Sequence, residues 1–326
     1  MKRLAWAGLL LLGVGNEVVA QPPPALRYLS YNVLHGGVLS GLTGDDEDLE
    51  ARFRIAAEEL RALDADIIGV QEASWSRARG DVAERLAREL GFHHVYAPAL
   101  FRITPVDWFN RLVNWIMNFS EGPAVLSRFP IVASETLDLP RCNGFVDPRV
   151  LLHVTVRTPW GDLGVAATHT SRGFCEAEHV AALMQARRAP LPLVLMGDFN
   201  SGEESPGIRT LTGRAGFVDA FRAANPSAPG LTVWQAIHAP TPTVRRRVDY
   251  VFLLPGRVAP GRVRASRVVL DTPRRLEDGK ILWPSDHYGV LAELEVFPSR
   301  PATATETYGW GDGLVVELTP DPPLVR

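Results

Sequence analysis

The stretch PLVLMGDFN at residues 192–200 combines an apolar run with a polar end. An apolar run of this length between a proline and a glycine predicts a strand that is buried on both faces. Asp198 and Asn200 then lie at the C-terminal end of this strand. Residues two apart on an extended chain point to the same side, so the carboxylate and the amide reach one crevice. An ordinary turn is the alternative interpretation, because Asp-x-Asn is also common turn chemistry.

The same kind of polar strand end recurs along the chain. Further strands are predicted near residues 26–33, 66–72, 163–168, 247–253 and 289–297, and at or beside their ends lie Asn32, Glu72, His169, Asp249, Asp286 and His287. Taken singly, each of these side chains is ordinary at a surface or in a core. Because they recur at successive strand ends, we interpret them as one functional site.

Helical patterns alternate with these strands. Apolar residues repeat at helical spacing in 51–63 and 81–90, and a third helix is predicted at about 176–188. Gly91 follows the second helix directly and is typical of a C-terminal cap. This mixture of helices and hairpin-forming strands predicts an α/β (α+β) protein with two packed sheets and helices outside.

Length and charge limit the classes of protein to which the chain can belong. It has 326 residues and a formal net charge of -3, which suits one large domain or two small ones. This charge gives no general attraction to nucleic acid or anionic lipid. The basic run Arg245–Arg247 is a candidate wall of a local nucleic-acid groove, and a solvated strand edge is the alternative.

The N-terminus has the pattern of an export signal. Lys2 and Arg3 precede an apolar segment at 4–14, and the stretch Val18-Val-Ala20 ends in a small residue before Gln21. The apolar segment is shorter than the roughly 20 residues that span a bilayer, so an uncleaved anchor is the less favoured alternative. We therefore expect a signal peptide at 1–20 and a protein exported to the periplasm or secreted. A Pro-rich spacer at 21–25, one domain at 26–297 and a Pro- and Thr-rich tail at 298–326 complete this organisation.

The chain has two cysteines, Cys142 and Cys175. Both lie in loop-like stretches, and in an oxidising compartment they favour one disulfide over two unpaired thiols. Two cysteines at this spacing do not form a cysteine-type metal site.

Large apolar residues are concentrated in the segment 100–119. The pattern favours a helix packed on the core, and the alternative is an exposed apolar flap that contacts a membrane or an apolar substrate. Trp234, upstream of Asp249, is likewise predicted in the core, with stacking on a base or sugar as the alternative.

The polar residues at the strand ends define a chemistry. Oxygen ligands without cysteine suit a hard cation such as Mg²⁺ or Mn²⁺, and Glu72 and Asp286 supply the carboxylates. Histidines near carboxylates suit phosphate binding and proton transfer. Hydrolysis of a phosphate ester needs a cation on the phosphoryl oxygens, donors for the developing charge and a group that orients water. The set therefore predicts metal-assisted phosphoester hydrolysis.

These motifs resemble a known superfamily in their residues and in their order. The segments that carry the resemblance are Tyr31-Asn-Val, Val70-Gln-Glu, Thr168-His, Gly197-Asp-Phe-Asn, Arg247-Val-Asp-Tyr-Val-Phe and Ser285-Asp-His. Over about residues 26–297 the chain resembles the endonuclease/exonuclease/phosphatase superfamily. That superfamily includes pancreatic-type deoxyribonucleases, abasic-site endonucleases, neutral sphingomyelinases and inositol polyphosphate 5-phosphatases. The resemblance implies a DNase I-like four-layer α/β sandwich, with two packed mixed β-sheets flanked by helices and the site at one edge of the sheets.

The resemblance also implies roles on the metal side of the site. Glu72 matches a metal ligand and Asp286 a second one, while Asn32 helps to hold the residues around the metal. Asp198 matches the residue that orients or deprotonates the attacking water.

On the phosphate side, the resemblance places Asn200 and His169 against the phosphate. Arg149 matches a position at which some relatives carry a phosphate-contacting Arg or Tyr. Asp249 would pair with His287, which fixes the tautomer of the imidazole and raises its pKa. His287 is then either the general base or a protonated phosphate clamp, and both alternatives are open.

The motifs specify phosphoester hydrolysis but not the ester. We expect a monomeric, exported, Mg²⁺-dependent phosphodiesterase, nuclease-like in its substrate. The first alternative is a sphingomyelinase-like lipid phosphodiesterase that places residues 101–119 at a membrane surface. The second is a phosphate-ester binding module without catalysis.

Overall fold

The fold was analysed in a computed structural model. The structure describes residues 25–37, 47–142, 148–172 and 175–297. The predicted signal peptide at 1–20 and the predicted tail at 298–326 lie outside the described residues. All nine predicted site residues lie within them.

The described helices are labelled in chain order: α1 Leu49–Leu63, α2 Val82–Leu90, α3 Asp107–Met117, α4 Cys175–Ala186, α5 Pro206–Thr212 and α6 Ala220–Ala224. The described strands are β1 Leu26–Asn32, β2 Ile67–Ser76, β3 Gly80–Asp81, β4 His93–Tyr96, β5 Ser120–Ser127, β6 Ile131–Asp138, β7 Val150–Thr158, β8 Gly161–His169, β9 Leu193–Asp198, β10 Val218–Asp219, β11 Asp249–Leu254, β12 Arg262–Val269, β13 Arg274–Arg275, β14 Ile281–Leu282 and β15 Gly289–Glu295. No helix within the described ranges is both long enough and apolar enough to cross a membrane.

The strands form two mixed sheets. The first sheet has the order β12-β15-β1-β2-β5-β4, with β3 paired to β2, and the second has the order β10-β11-β9-β8-β7-β6. Strand β1 is parallel to β2, and β8 is parallel to β9. Each sheet therefore brings the C-terminal ends of two neighbouring parallel strands to one edge.

Three apolar clusters separate four layers. One cluster joins the inner faces of the two sheets, a second lies between the first sheet and helices α1 and α2, and a third lies between the second sheet and helices α4 and α5. The sheets approach closely at Gly69 on β2, where a Cβ atom would lie 2.7 Å from the Cβ of Met196 on β9. The predicted four-layer sandwich is confirmed.

Helix α2 begins and ends as its sequence predicts. The Asp81 carboxylate accepts hydrogen bonds from the amides of Ala83 and Glu84, which supplies acceptors for two of the free amides of the first turn. Gly91 ends the helix with φ 70°, a conformation that a side chain would strain. Local signals of this kind account for both boundaries of α2.

The predicted packing of the aromatic segment on the core is wrong. Helix α3 buries only Asn110, whereas the Trp108 and Trp115 side chains are mostly exposed. Trp234 is also exposed and not in the core. The physical reason is that Trp108, Trp115 and Trp234 lie in connections between strands and do not join any of the three apolar clusters.

The structure pairs Cys142 with Cys175 in a disulfide, with 6.2 Å between their Cα atoms. Cys142 follows strand β6, and Cys175 is the first residue of helix α4. The favoured disulfide therefore forms, and it joins two connections that leave the second sheet.

Candidate active site

Three predicted site residues lie in register on adjacent strands of the second sheet. His169 on β8 pairs with Asp198 on β9, and Asp198 pairs in turn with Asp249 on β11. Because β8 and β9 are parallel and end together, their last side chains meet at one edge. Strand β11 runs in the opposite direction, so its first residue reaches the same edge.

The Gly-Asp-Phe-Asn motif has a distinct physical reason at each position. A Cβ atom on Gly197 would lie 2.7 Å from the carbonyl oxygen of Thr168, so only glycine lets β8 come this close. Phe199 is fully buried and anchors the turn. Asn200 adopts a left-handed backbone with φ 51°, and its amide donates to the Asp198 carboxylate at 2.7 Å. The motif therefore forms a turn and also supplies Asp198 and Asn200 to the site.

The first sheet contributes Asn32 and Glu72. The pairing of β2 with β5 shifts register between Val70 and Ala73, which is a β-bulge, and Glu72 within it has φ 56°. A glutamate in this region carries strain of order 1–3 kcal/mol, which is characteristic of functional sites. The Asn32 amide donates to Glu72 Oε1 at 3.0 Å and to Asp198 Oδ2 at 3.1 Å. It therefore links the two sheets at the site.

His287 is held from two sides. Its Nδ1 lies 2.9 Å from Asp249 Oδ2, so Nδ1–H donates to this carboxylate, and Nε2 lies 3.6 Å from Asp198 Oδ2. The Ser285 hydroxyl accepts from the His287 amide and donates to the carbonyl of Asn32, which fixes the turn against β1. The predicted Asp249–His287 pair is present, and it leaves Nε2 facing the centre of the site.

Burial and neighbouring charges shift the pKa values of this cluster. Burial lowers the pKa of His287, but the carboxylates of Asp249 and Asp198 outweigh it and hold the pKa well above its ordinary value. Burial raises the pKa of Asp198 to about 7, with His287 opposing the shift. Burial also raises the pKa of Glu72, but His35, the hydrogen bond from Asn32 and His287 outweigh it and hold the pKa below its ordinary value. The site therefore combines an ionised carboxylate with a carboxyl that can exchange a proton near neutral pH.

The predicted phosphate-side residues also lie together. Arg149 donates to His169 Nδ1 at 2.7 Å, and Asn200 Nδ2 lies 3.0 Å from His169 Nε2 while donating to the carbonyl of Thr170. Burial lowers the pKa of His169 well below its usual value, and the charge of Arg149 adds to this effect. His169 is therefore a neutral imidazole beside a fixed positive charge.

Asp286 lies at the margin of the cluster. It is half-buried, and its Oδ1 lies 3.4 Å from Ser285 Oγ. Burial raises its pKa to about 6, with His287 opposing and Glu72 adding to the shift. Its carboxylate is thus within electrostatic reach of Glu72.

Sequence reasoning missed two residues that contact the predicted set. His35 Nε2 lies 3.7 Å from Glu72 Oε2 and 3.4 Å from Glu121 Oε2. Glu121 also lies 3.8 Å from Arg149 Nη1. The position of His35 three residues after Asn32 was an available signal. Glu121 had no local signal, because only the pairing of β5 with the bulged β2 brings it to the site.

Two groups of side chains at the site have the donor atoms that a divalent cation needs. Two groups bring their ligand atoms within 4.8 Å of one another, namely His35, Glu72 and Glu121, and Asp198, Asp249 and His287. Carboxylate oxygens with imidazole and no thiolate suit a hard or borderline divalent ion. Within the described residues, Asp249 Oδ1 is buried and has no hydrogen-bond partner. The site therefore contains a buried carboxylate oxygen that no hydrogen-bond donor of the described residues satisfies, and a divalent cation would balance its negative charge.

Comparison with known proteins agrees with this geometry. The family model described as "Endonuclease/Exonuclease/phosphatase family" matches residues 29–287. An endonuclease/exonuclease/phosphatase structure from Beutenbergia cavernae is 25% identical with a TM-score of 0.61, over 85% of this chain and 73% of that one. None of the curated proteins matches the chain significantly.

More distant structures share the fold. A mannosyl-6-phosphatase from Bacteroides thetaiotaomicron is 20% identical with a TM-score of 0.60, over 83% of this chain and 99% of that one. The human Nocturnin catalytic domain with a bound sulfate anion is also 20% identical with a TM-score of 0.60, over 85% and 99% of the two chains. The chain therefore belongs to the endonuclease/exonuclease/phosphatase family, whose members are divalent-metal-dependent hydrolases of phosphoester bonds.

Proposed function

We propose that this protein is an exported, Mg²⁺-dependent phosphodiesterase that hydrolyses its substrate by attack of water. The observation that carries the proposal is the single hydrogen-bonded cluster in which Asn32 joins Glu72 to Asp198, and Asp198 faces the Asp249–His287 pair. This cluster contains the parts that phosphoester hydrolysis needs, all at one edge of the two sheets.

Glu72 and Asp286 are the proposed ligands of Mg²⁺ or Mn²⁺, with Asn32 holding Glu72 in place. When bound, the cation neutralises charge on the phosphoryl oxygens. Glu121 supplies a further carboxylate beside Glu72. The strained bulge at Glu72 supports this assignment, because it directs the side chain toward the site at an energetic cost.

Asp198 is the proposed base that orients the attacking water and accepts its proton. His287, with Nδ1 donating to Asp249, presents Nε2 to the same region and donates to a phosphoryl oxygen when protonated. Of the two roles open for His287, we therefore favour the phosphate clamp. Nε2 and Asp198 Oδ2 are 3.6 Å apart, which is too far for a hydrogen bond but close enough for the charges of the two groups to interact.

Asn200, His169 and Arg149 form the proposed phosphate-binding side. Arg149 is half-buried, and its Nη1 donates to His169 Nδ1 at 2.7 Å. This hydrogen bond orients the planar guanidinium before substrate binds. A planar fork suits a phosphate because it can donate two parallel hydrogen bonds.

Two classes of phosphodiester fit the surface around the site. The guanidinium carbons of Arg172 and Arg246 lie 4.9 and 5.0 Å from the centre of the Trp234 ring. Arginine beside an exposed aromatic ring suits the bases and phosphates of a single nucleic-acid strand, which supports the nuclease-like proposal. Arg247 does not belong to this surface, because it is buried in ion pairs with Asp219 and Glu203.

A lipid phosphodiester is the second candidate substrate. The specific observation that favours it is the exposed apolar face of helix α3. Export of the protein is supported by the pattern of residues 1–20, and the disulfide between Cys142 and Cys175 is consistent with an oxidising compartment.

The proposal is tested by the activity of purified protein on bis-p-nitrophenyl phosphate, with p-nitrophenyl phosphate as the monoester for comparison. We expect turnover of the diester with Mg²⁺ or Mn²⁺ and its loss with EDTA. Parallel assays on plasmid DNA and on sphingomyelin vesicles separate the two substrate classes. Absence of metal-dependent turnover with every substrate and divalent ion would leave the binding module as the function.

A further inference from the structure

Helix α3 turns a polar stripe toward the protein. Asn110 accepts hydrogen bonds from the amides of Ile103 and Thr104 and donates to the carbonyl of Thr104 at 2.7 Å. Asn114, one turn later, accepts from the amide of Phe101 and donates to its carbonyl at 2.8 Å. Two asparagines at i and i+4 thus hold the preceding loop against the inner face of the helix.

The outer face of helix α3 is apolar. Its exposed apolar side chains are Trp108 at 63%, Trp115 at 65%, Ile116 at 51% and Leu112 at 42% of their accessible surface. Residues 108, 112 and 115 fall on one stripe of the helix, opposite the two asparagines. The usual amphipathic arrangement is therefore inverted, since water meets the apolar stripe and the protein meets the amides.

The loop before the helix extends this apolar surface. Leu100, Ile103 and Val106 are exposed at 48%, 41% and 43%. Monomeric proteins rarely leave a contiguous patch of this kind in water, because its burial is worth about 25 cal/mol per Å². The segment 100–117, hereafter the docking segment, therefore has the surface of a binding face.

The charges of the docking segment identify its partner. The segment contains Arg102 and Arg111 but only one carboxylate, Asp107, although the whole chain is acidic with a net charge of -3. Arg102 forms an ion pair with Asp138 at 3.4 Å, which offsets part of the positive charge of the segment. Arg77 adds a third guanidinium, 4.8 Å from the centre of the Trp115 ring. Exposed tryptophans bordered by arginines match the interface of a bilayer that contains anionic lipid, where aromatic rings occupy the headgroup level.

The docking segment is continuous with the phosphate-binding side. Leu100 and Arg102 line a cavity of about 270 Å³ together with Arg149. Arg149 in turn lies 2.7 Å from His169 Nδ1. A protein resting on this segment would hold the cavity beside the headgroups.

We propose that the docking segment binds the surface of a bilayer containing anionic lipid, with Trp108 and Trp115 inserted at the headgroup level. This inference goes beyond the proposed function and does not depend on it, because binding is measured without turnover. Failure of the hydrolysis assays leaves it intact, and failure of binding leaves the hydrolysis intact.

The test is cosedimentation with phosphatidylcholine vesicles that contain or lack phosphatidylglycerol. Wild-type protein is expected to bind the anionic vesicles more tightly, and the variant W108A/W115A to bind them at least about tenfold more weakly, because it removes two large apolar groups. Arg111→Glu is expected to weaken binding about fivefold or more on anionic vesicles alone. The full chain is used throughout, so every variant carries the same N-terminal apolar segment.

Trp160→Ala is the matched control. Trp160 is 37% exposed and precedes strand β8, at the end opposite His169, so its loss is expected to leave binding unchanged. Unchanged binding in W108A/W115A, with the far-ultraviolet dichroism of the wild type, would overturn the proposal. Equal binding of wild type to both vesicle types would also overturn it. A concentration-dependent dimer of the wild type that W108A/W115A abolishes would overturn the proposal too, because the docking segment would then bind a second copy of the chain.

Discussion

The side-chain amide of Asn32 donates to Asp198 Oδ2 at 3.1 Å, although the two residues belong to different sheets. Asn32 ends β1 in the first sheet, and Asp198 ends β9 in the second. The same amide donates to Glu72 Oε1 at 3.0 Å. One buried side chain therefore holds the proposed metal ligand and the proposed base at a fixed separation.

Replacement of Asn32 is expected to destabilise the protein and to disorganise the site. Asn32→Ala leaves two buried carboxylate oxygens without a donor, which is expected to lower the free energy of unfolding by about 2 kcal/mol. Urea unfolding at pH 7.5 measures this loss. A loss well below about 1 kcal/mol, the net value of one ordinary hydrogen bond, would contradict the bridging role of Asn32.

Asp198→Asn and His287→Ala are each expected to lower turnover by at least about 10²-fold, the lower end of acid–base and charge-stabilising contributions. The controls are Asp278→Asn and His153→Ala, an acid and a histidine that lie away from the cluster. Initial rates on the preferred diester, with saturating divalent ion, give the comparison. Rates near wild type in either site variant would show that its assigned role is incorrect.

Glu59 predicts a pH-dependent stability that is independent of the site. Burial raises the pKa of this carboxyl to about 7, with Arg274 opposing the shift. Below pH 4.5 both the folded and the unfolded protein hold the proton, whereas between pH 4.5 and 7 only the folded protein does. Stability therefore falls as the pH rises through this window, and the full penalty is present above pH 7.

Glu59→Gln is expected to remove this penalty. The variant should be more stable than wild type at pH 8 by about 1 kcal/mol. This is less than the shift in pKa alone would give, because water screens the charge of a partly exposed carboxyl. At pH 4 the two proteins should unfold at the same urea concentration. A gain of equal size at both pH values would mean that packing, and not titration, causes it.

Removal of the disulfide is expected to destabilise the fold through the unfolded state. Cys142 and Cys175 are 33 residues apart, and closing a loop of this length stabilises a protein by about 3–4 kcal/mol in the chain-entropy description. Thermal unfolding of the variant C142S/C175S measures the loss. Unchanged stability of wild type under reducing conditions would show that the bridge contributes nothing.

Much of the site could be predicted from local sequence. The strand ends predict Asp198, Asn200 and His169, and likewise Asn32, Glu72, Asp249, Asp286 and His287, because apolar runs mark buried strands and polar residues mark their ends. The order of the motifs then placed Glu72, Asp249 and His287 in the same family pattern. His35 and Glu121 were not found, because their approach to Glu72 depends on a bulge in β2 and on the partner that β5 selects.

The sequence by itself determined that helix α3 forms and that Trp108, Leu112 and Trp115 share one stripe of it. It also determined which strand ends carry the polar residues, since both patterns are local. Only the tertiary structure decided which stripe of α3 faces water, because the hydrogen bonds of Asn110 and Asn114 to the preceding loop turn the amides inward. In the same way, only the packing of the two sheets brought Asn32 to Asp198, since a contact across 166 residues depends on how whole strands pair.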